Sequence, residues 1–250
     1  MVDRVRHNTL QVEKLTKSYG RKCVVKNVSF SMESGSIIGL LGPNGAGKTT
    51  MFYMIVGFIV SDAGTILLNN QDVTRLAMYR RSRLGLAYLP QEPSIFRKLS
   101  VEDNIKLVAQ ARDDLDKQDL QNLVDSLISE FGLEKVRKQY GYTLSGGERR
   151  RTEIARALAC NPKFLLLDEP FAGIDPKAVY EIKLLIQALS KRNIGILLTD
   201  HNVRDTLAIT HTSYIINEGE ILASGKKADL LANPDARRIY FGEDFSRGES

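Results

Sequence analysis

The sequence predicts an α/β domain: a mostly parallel sheet wrapped by helices, entered through a strand-rich N-terminal part and interrupted by a helical insert. Three observations carry this. Short, fully apolar runs that end in glycine or aspartate, at residues 37–41 and 164–167, suit strands buried on both faces. Segments of helical period follow those runs, and strand–helix alternation means parallel strands joined by crossovers. Between them, residues 100–131 carry helical periodicity without a strand.

The elements follow in order. Leu10, Val12 and Leu15 mark one strand and Val24, Val25, Val28 and Phe30 the next. A helix is expected over about residues 48–57, after the buried strand 37–41. Ser100, followed three residues on by Asp103, is an N-cap pattern, and Leu120, Leu123, Leu127 and Phe131 recur on one helical face. The insert is read as roughly residues 92–143. A helix over residues 148–159 carries Ile154, Ala155 and Leu158 on its apolar stripe. Strand 164–167, helix 177–190, strand 195–199 and helix 202–210 then alternate. Two strands joined through Glu218-Gly219 follow, with helical pieces around Asp229 and Asp235 in a tail of about residues 226–250.

Composition narrows the classes. The 250 residues are 43% hydrophobic and 26% charged, which places the chain among globular proteins and excludes a disordered one. The longest apolar run, residues 54–60, contains Gly57 and falls far short of the ~20 residues a spanning helix needs. The start lacks an apolar core, so no secretory signal is expected. Cys23 and Cys160 make no disulfide framework and are expected as small buried hydrophobes. A net charge of +5 is too modest to select a nucleic acid, a membrane surface or a phosphate ligand. The clusters Arg80, Arg81, Arg83 and Arg149, Arg150, Arg151 are expected as solvated helix faces.

Gly42-Pro43-Asn44-Gly45-Ala46-Gly47-Lys48-Thr49 has the spacing of a phosphate loop. Such a loop turns its N–H groups toward a polyphosphate, and the helix that begins at Lys48 adds the amides of Thr49, Thr50 and their neighbours with its positive end. Lys48 is a point charge for the β- and γ-phosphates, and the Thr49 hydroxyl is placed for Mg²⁺. Leu165-Leu166-Leu167-Asp168 is a buried strand ending in a carboxylate suited to Mg²⁺, and Glu169 beside it is a candidate general base. The chain lacks the Asn-Lys-x-Asp guanine reader, and Tyr19 offers an aromatic face at a strand end, so adenine is the expected base. Leu144-Ser145-Gly146-Gly147-Glu148 opens a second helix with glycine-rich backbone and a hydroxyl, a second anion site. Two anion-binding helix starts for one triphosphate suggest a γ-phosphate shared between two chains facing head to tail.

The phosphate loop, Gln91, Leu-Ser-Gly-Gly-Glu at 144–148, Leu-Leu-Asp-Glu-Pro at 166–170, Ile174-Asp175 and His201 resemble, in content and order, the ATPase subunits of the ATP-binding-cassette (ABC) transporter family. The resemblance runs over about residues 10–240. It implies a single ABC-type ATPase domain over residues 1–250, with a mostly parallel core sheet, an N-terminal antiparallel β subdomain and a helical subdomain. It implies ATP and Mg²⁺ as ligands, with Tyr19 stacking on adenine and Gln91 touching Mg²⁺ and the attacking water. Ser145, Gly146 and Gly147 would bind the partner copy's γ-phosphate, with Asp175 in the loop that crosses the dimer interface. His201 would touch the γ-phosphate and align water with Glu169. Stretches 88–97, 144–158, 162–176, 199–204 and 240–245 resemble the lipopolysaccharide-export branch more than the branched-chain amino-acid importers. That branch implies a homodimer peripheral to the cytoplasmic face of the inner membrane, under two transmembrane subunits contacted by Phe96 and Arg97, with no nucleic acid and no direct lipid contact. Gly242-Glu243-Asp244-Phe245 serves no hydrolytic step and points to shared partners.

Overall fold

The computed structural model describes residues 7–241. The chain runs β1 (Thr9–Tyr19), β2 (Lys22–Glu33), β3 (Ile37–Leu41), α1 (Lys48–Val56), β4 (Ala63–Leu68), β5 (Gln71–Asp72), α2 (Met78–Arg83), β6 (Leu86–Leu89), α3 (Val101–Ala109) and α4 (Lys117–Glu130). It continues with α5 (Gly146–Leu158), β7 (Phe164–Asp168), α6 (Pro176–Lys191), β8 (Gly195–Thr199), α7 (Val203–Ile209), β9 (Thr212–Asn217), β10 (Glu220–Gly225), α8 (Lys227–Ala232) and α9 (Pro234–Ala236).

Two sheets organise these elements. The N-terminal sheet is antiparallel, in the order β2-β1-β4-β5, and the core sheet runs β10-β9-β3-β8-β7-β6. In the core sheet β9, β3, β8, β7 and β6 are mutually parallel, and β10 closes one edge as an antiparallel hairpin partner of β9. This is the expected fold class. Side chains of the central strands alternate between two cores, as the two-residue period of a strand requires. Leu165, Leu167, Ile196 and Leu198 pack with α3, α4, α5 and α6. Phe164, Leu166 and Leu197 face the other way, toward α1 and the antiparallel sheet. The C-terminal part adds a smaller cluster of Leu207, Ile215, Leu230 and Phe241.

Local signals set the helix ends. Ser100 caps α3 by accepting from the Asp103 N–H, and Asp175 caps α6 by accepting from the Ala178 N–H, with Pro176 at the first helical position. No helix among the described residues is long and apolar enough to cross a membrane.

Some expectations change. β4, α2 and β6 carry no clear sequence signal; β6 is four residues between Gly85 and Pro90, too short for periodicity to register. Each basic cluster hides one buried arginine. Arg81 is 2% exposed and donates to the carbonyls of Met54, Ile55, Thr74 and Leu76. Arg150 is 5% exposed and donates to Pro90 O, Asp168 O and Glu153. Their neighbours Arg80, Arg83 and Arg149 keep more solvent contact. Both cysteines are only half-buried, and the Cys23 thiol lies 3.3 Å from Val25 O. The Gly242–Phe245 stretch lies outside the described residues.

Candidate active site

The loop after β3 is shaped by close approach of neighbouring backbone. Gly42 has φ +156°, and a Cβ there would lie 2.2 Å from Ile216 O. Gly47 has φ +104°, and a Cβ there would lie 2.5 Å from Val24 O. Neither position admits a side chain. The Gly219 N–H, in the β9–β10 turn, donates to Ala46 O and fixes the loop from a third side. Gly47 caps α1 without a side-chain acceptor, so the cap residue leaves the first-turn amides free of a capping side chain. Asn44, Gly45 and Thr49 are exposed, Pro43 and Thr50 half-buried.

Lys48 is 6% exposed, and its Nζ donates to Gly42 O at 2.7 Å and Pro43 O at 3.0 Å. Burial pushes its ammonium below the usual lysine range, while the nearby carboxylates of Glu169 and Asp168 pull it back up. The phosphate-loop lysine and both candidate acids therefore share one electrostatic environment.

Parallel pairing sets β7 between β6 and β8, so their C-terminal ends meet there. Asp168, 4% exposed, accepts from Thr199 Oγ1 at 3.1 Å and from the Tyr88 hydroxyl at 3.3 Å. Burial raises the Asp168 carboxyl above the ordinary aspartate range, against those hydrogen bonds and the cations Lys48 and Arg150. The Tyr88 phenol is pushed well up by burial and by Asp168, which keeps it a donor. Glu169 follows with φ +45°, and its N–H donates to Thr199 O. Its two carboxylate oxygens are both engaged: Gln91 Nε2 donates to Oε2 at 2.6 Å, and His201 Nε2 lies 2.6 Å from Oε1. Asp200, 4% exposed, accepts from the N–H groups of Phe171 and Asn202, which ties the loop after Glu169 to the loop that carries His201. Burial raises its carboxyl too.

The second candidate anion site is built separately. Ser145 and Glu148 form a capping box: Ser145 Oγ accepts from the Glu148 N–H, and the Glu148 carboxylate accepts from the Ser145 N–H and hydroxyl. Gly146 faces Gly173 O, and a Cβ on Gly147 would lie 2.8 Å from Ala178 Cβ. This helix start rests on α6 and the loop before it, whereas the phosphate loop rests on Val24, Ile216 and Gly219.

The body of α5 grips the Gln91 segment. The buried Glu153 accepts from the N–H groups of Ser94 and Ile95, and Arg156 donates to Ser94. Phe96 is 47% exposed with the Arg156 guanidinium 5.1 Å above its ring, and Arg97 is exposed. Tyr19 is 52% exposed at the end of β1, with Lys17 Nζ 5.6 Å from its ring centroid. Gln91, Lys48, Asp168, Glu169 and His201 thus form one cluster. Tyr88, Thr199, Asp200 and Arg150 join it without any advance signal, because their roles depend on strand order and not on local spacing. Among the described residues, no three His, Cys, Asp or Glu side chains are grouped to hold a metal.

Residues 25–172 match the ABC transporter family. The lipopolysaccharide export system ATP-binding protein LptB of Escherichia coli K12 is 51% identical over 237 residues, 95% of this chain and 98% of that protein. LptB of Haemophilus influenzae is 50% identical over 94% of this chain and 98% of its own length. Among solved structures, a nucleotide-free ATP-binding cassette from an ABC transporter superposes with a TM-score of 0.84 at 26% identity, over 94% of this chain and all of the other. With the family match over residues 25–172 and near full-length relatives in agreement, the chain belongs to the ABC transporter family, as its ATP-binding ATPase subunit.

Proposed function

We propose that this chain hydrolyses ATP to drive export of lipopolysaccharide, as the homodimeric ATPase under two transmembrane subunits. The observation that supports the chemistry is the Glu169 carboxylate, held between Gln91 and His201 within the field of Lys48. The cargo rests on half-identity to LptB across nearly the whole chain.

In this reading the phosphate-loop amides and Lys48 hold the triphosphate, which competes with Gly42 O and Pro43 O for the ammonium. Tyr19 stacks on adenine. The start of α5, at Ser145, Gly146 and Gly147, supplies the partner copy's γ-phosphate with a second set of amides. The oxygen donors of Thr49, Gln91 and Asp168 fit Mg²⁺, a hard cation that takes few carboxylates and relies on phosphate oxygens. The raised, buried Asp168 gains from a neighbouring divalent charge. When bound there, Mg²⁺ would neutralise charge on the transferring phosphoryl group.

Glu169 releases one of its two partners, orients a water and takes its proton as the oxygen attacks the γ-phosphorus in line, and the bond to the β–γ bridging oxygen breaks, leaving ADP and inorganic phosphate. His201 holds the γ-phosphate and the water's direction. Most of the rate comes from position and fixed charge, as phosphoryl transfer demands. Movement then passes through the Gln91–Phe96 segment, which α5 grips through Glu153 and Arg156, to the transmembrane subunits seated at Phe96 and Arg97 beside the helical region 92–143.

The test is Glu169→Gln. ATP binding should persist while turnover falls roughly 10²–10⁴-fold, the usual loss for a missing general base. Turnover at the wild-type rate removes Glu169 from the role. Affinity purification of the tagged chain from its own membranes should bring down two related membrane proteins. Recovery of amino-acid permease subunits overturns the cargo and leaves the chemistry standing.

A further inference from the structure

Tyr88 stands at the junction of two sites. Its hydroxyl donates to Asp168 Oδ2 at 3.3 Å, while Thr199 Oγ1 holds Oδ1. Both oxygens of the carboxylate thus have a fixed donor, one from each flanking strand. The Tyr88 ring meets Phe52, Tyr53 and Phe58 edge-on, with centroids 6.4, 6.4 and 5.6 Å away. Tyr88 is also among the residues that line a groove with Met78, Phe96 and Arg156. Tyr53, Phe58, Met78 and Phe96 each keep more than a third of their surface in solvent. A partner segment seated in that groove would rest against the residue whose hydroxyl holds Asp168.

We propose that Tyr88 is a positioning residue that couples occupancy of the Phe96 groove to the grip of Asp168 on Mg²⁺. The proposal rests on the reading that Asp168 holds Mg²⁺ and that the groove seats a transmembrane subunit. The mechanism is mechanical: edge-to-face contacts fix the ring's tilt, and the tilt fixes where the hydroxyl holds Oδ2. A hydrogen-bond partner of a metal-holding carboxylate sets both its orientation and its donor strength.

Tyr88→Phe removes the hydroxyl and keeps the ring contacts. Nucleotide affinity is read by displacement of a fluorescent ATP analogue, across a Mg²⁺ titration, for the chain alone and for the chain assembled with its transmembrane subunits. Without Mg²⁺, variant and wild type should bind ATP alike. The Mg²⁺ concentration needed to tighten binding should rise roughly tenfold in the variant, the low end for loss of such a partner. Wild type should differ between the free and assembled forms, and Tyr88→Phe should lose that difference. A wild-type Mg²⁺ titration in both forms overturns the proposal. A shifted titration with no free-versus-assembled difference in wild type overturns the coupling. Asp168→Asn separates the two levels: if it keeps the wild-type Mg²⁺ response, the metal assignment fails; if it abolishes the response while Tyr88→Phe is silent, only the role of Tyr88 fails.

Discussion

Arg81→Met is the sharpest test of how α1, the helix that follows the glycine-rich loop, is anchored. The guanidinium donates at 2.6 Å to both Met54 O and Ile55 O, at the C-terminal end of α1, and at 2.8 and 2.9 Å to Thr74 O and Leu76 O. Hydrogen bonds that involve a charge contribute about 1.5–3 kcal/mol each, so four amount to at least about 6 kcal/mol. Burial opposes this by lowering the Arg81 pKa from 12.5 to about 10. That shift corresponds to roughly 3 kcal/mol at 1.36 kcal/mol per unit. Taking the four bonds at the low end of that range, about 6–8 kcal/mol, leaves a loss of about 3–5 kcal/mol in Arg81→Met, among the larger single-residue effects. For a chain of this size, that lowers the melting temperature by roughly 6–20 °C. Urea unfolding followed by far-ultraviolet circular dichroism measures it directly. A loss under ~1 kcal/mol refutes the argument, because the carbonyls would then have found other partners at no cost. Arg81→Lys should fall between, since one ammonium cannot span carbonyls on both α1 and the loop before α2.

Two further outcomes are expected. Gly147→Ala places a methyl 2.8 Å from Ala178 Cβ, so α5 and α6 must part, at about 1–3 kcal/mol for overpacking; in a Glu169→Gln background, sedimentation with ATP should show a weaker dimer, and an unchanged dimer removes this helix start from the interface. Hydrogen bonds from Arg137 foremost and from Lys138 hold the Glu102 carboxyl at about 2, below its ordinary 4.5. The folded pKa is depressed, so this stabilisation is complete above about pH 4.5 and is lost as pH falls toward 2. Glu102→Gln should flatten the acid limb of a stability–pH curve, and an unchanged limb assigns acid sensitivity elsewhere.

The features legible in the sequence are those whose determinants are local. The phosphate loop needs glycines at fixed offsets from a lysine, and Ser100, Ser145 and Asp175 cap helices through groups three residues away. Strands β3, β7 and β8 are apolar on both faces and announce themselves. What stayed hidden depends on distant pairing. Tyr88 reaches Asp168 only because β6 lies beside β7, and Thr199 reaches it only because β8 lies on the other side. Arg81 and Arg150 read as surface cations because some of the carbonyls that bury them lie far along the chain, 26 and 27 residues away in one case and 60 in the other. Asp200 carries no pattern of its own; two N–H groups from different loops give it a role.

Consecutive residues of an extended strand project to opposite faces, so two adjacent acids at the end of β7 could not both serve one site. The left-handed backbone at Glu169 breaks that alternation, at a conformational cost of order 1–3 kcal/mol for a residue with a side chain. Two acidic charges, one proposed to hold Mg²⁺ and one to take a proton, are thereby delivered by neighbouring codons to the same lysine. The pair is indivisible as a heritable unit: inserting or deleting one residue there would not shift the chemistry along the chain but would send one of the two acids to the wrong side of the sheet.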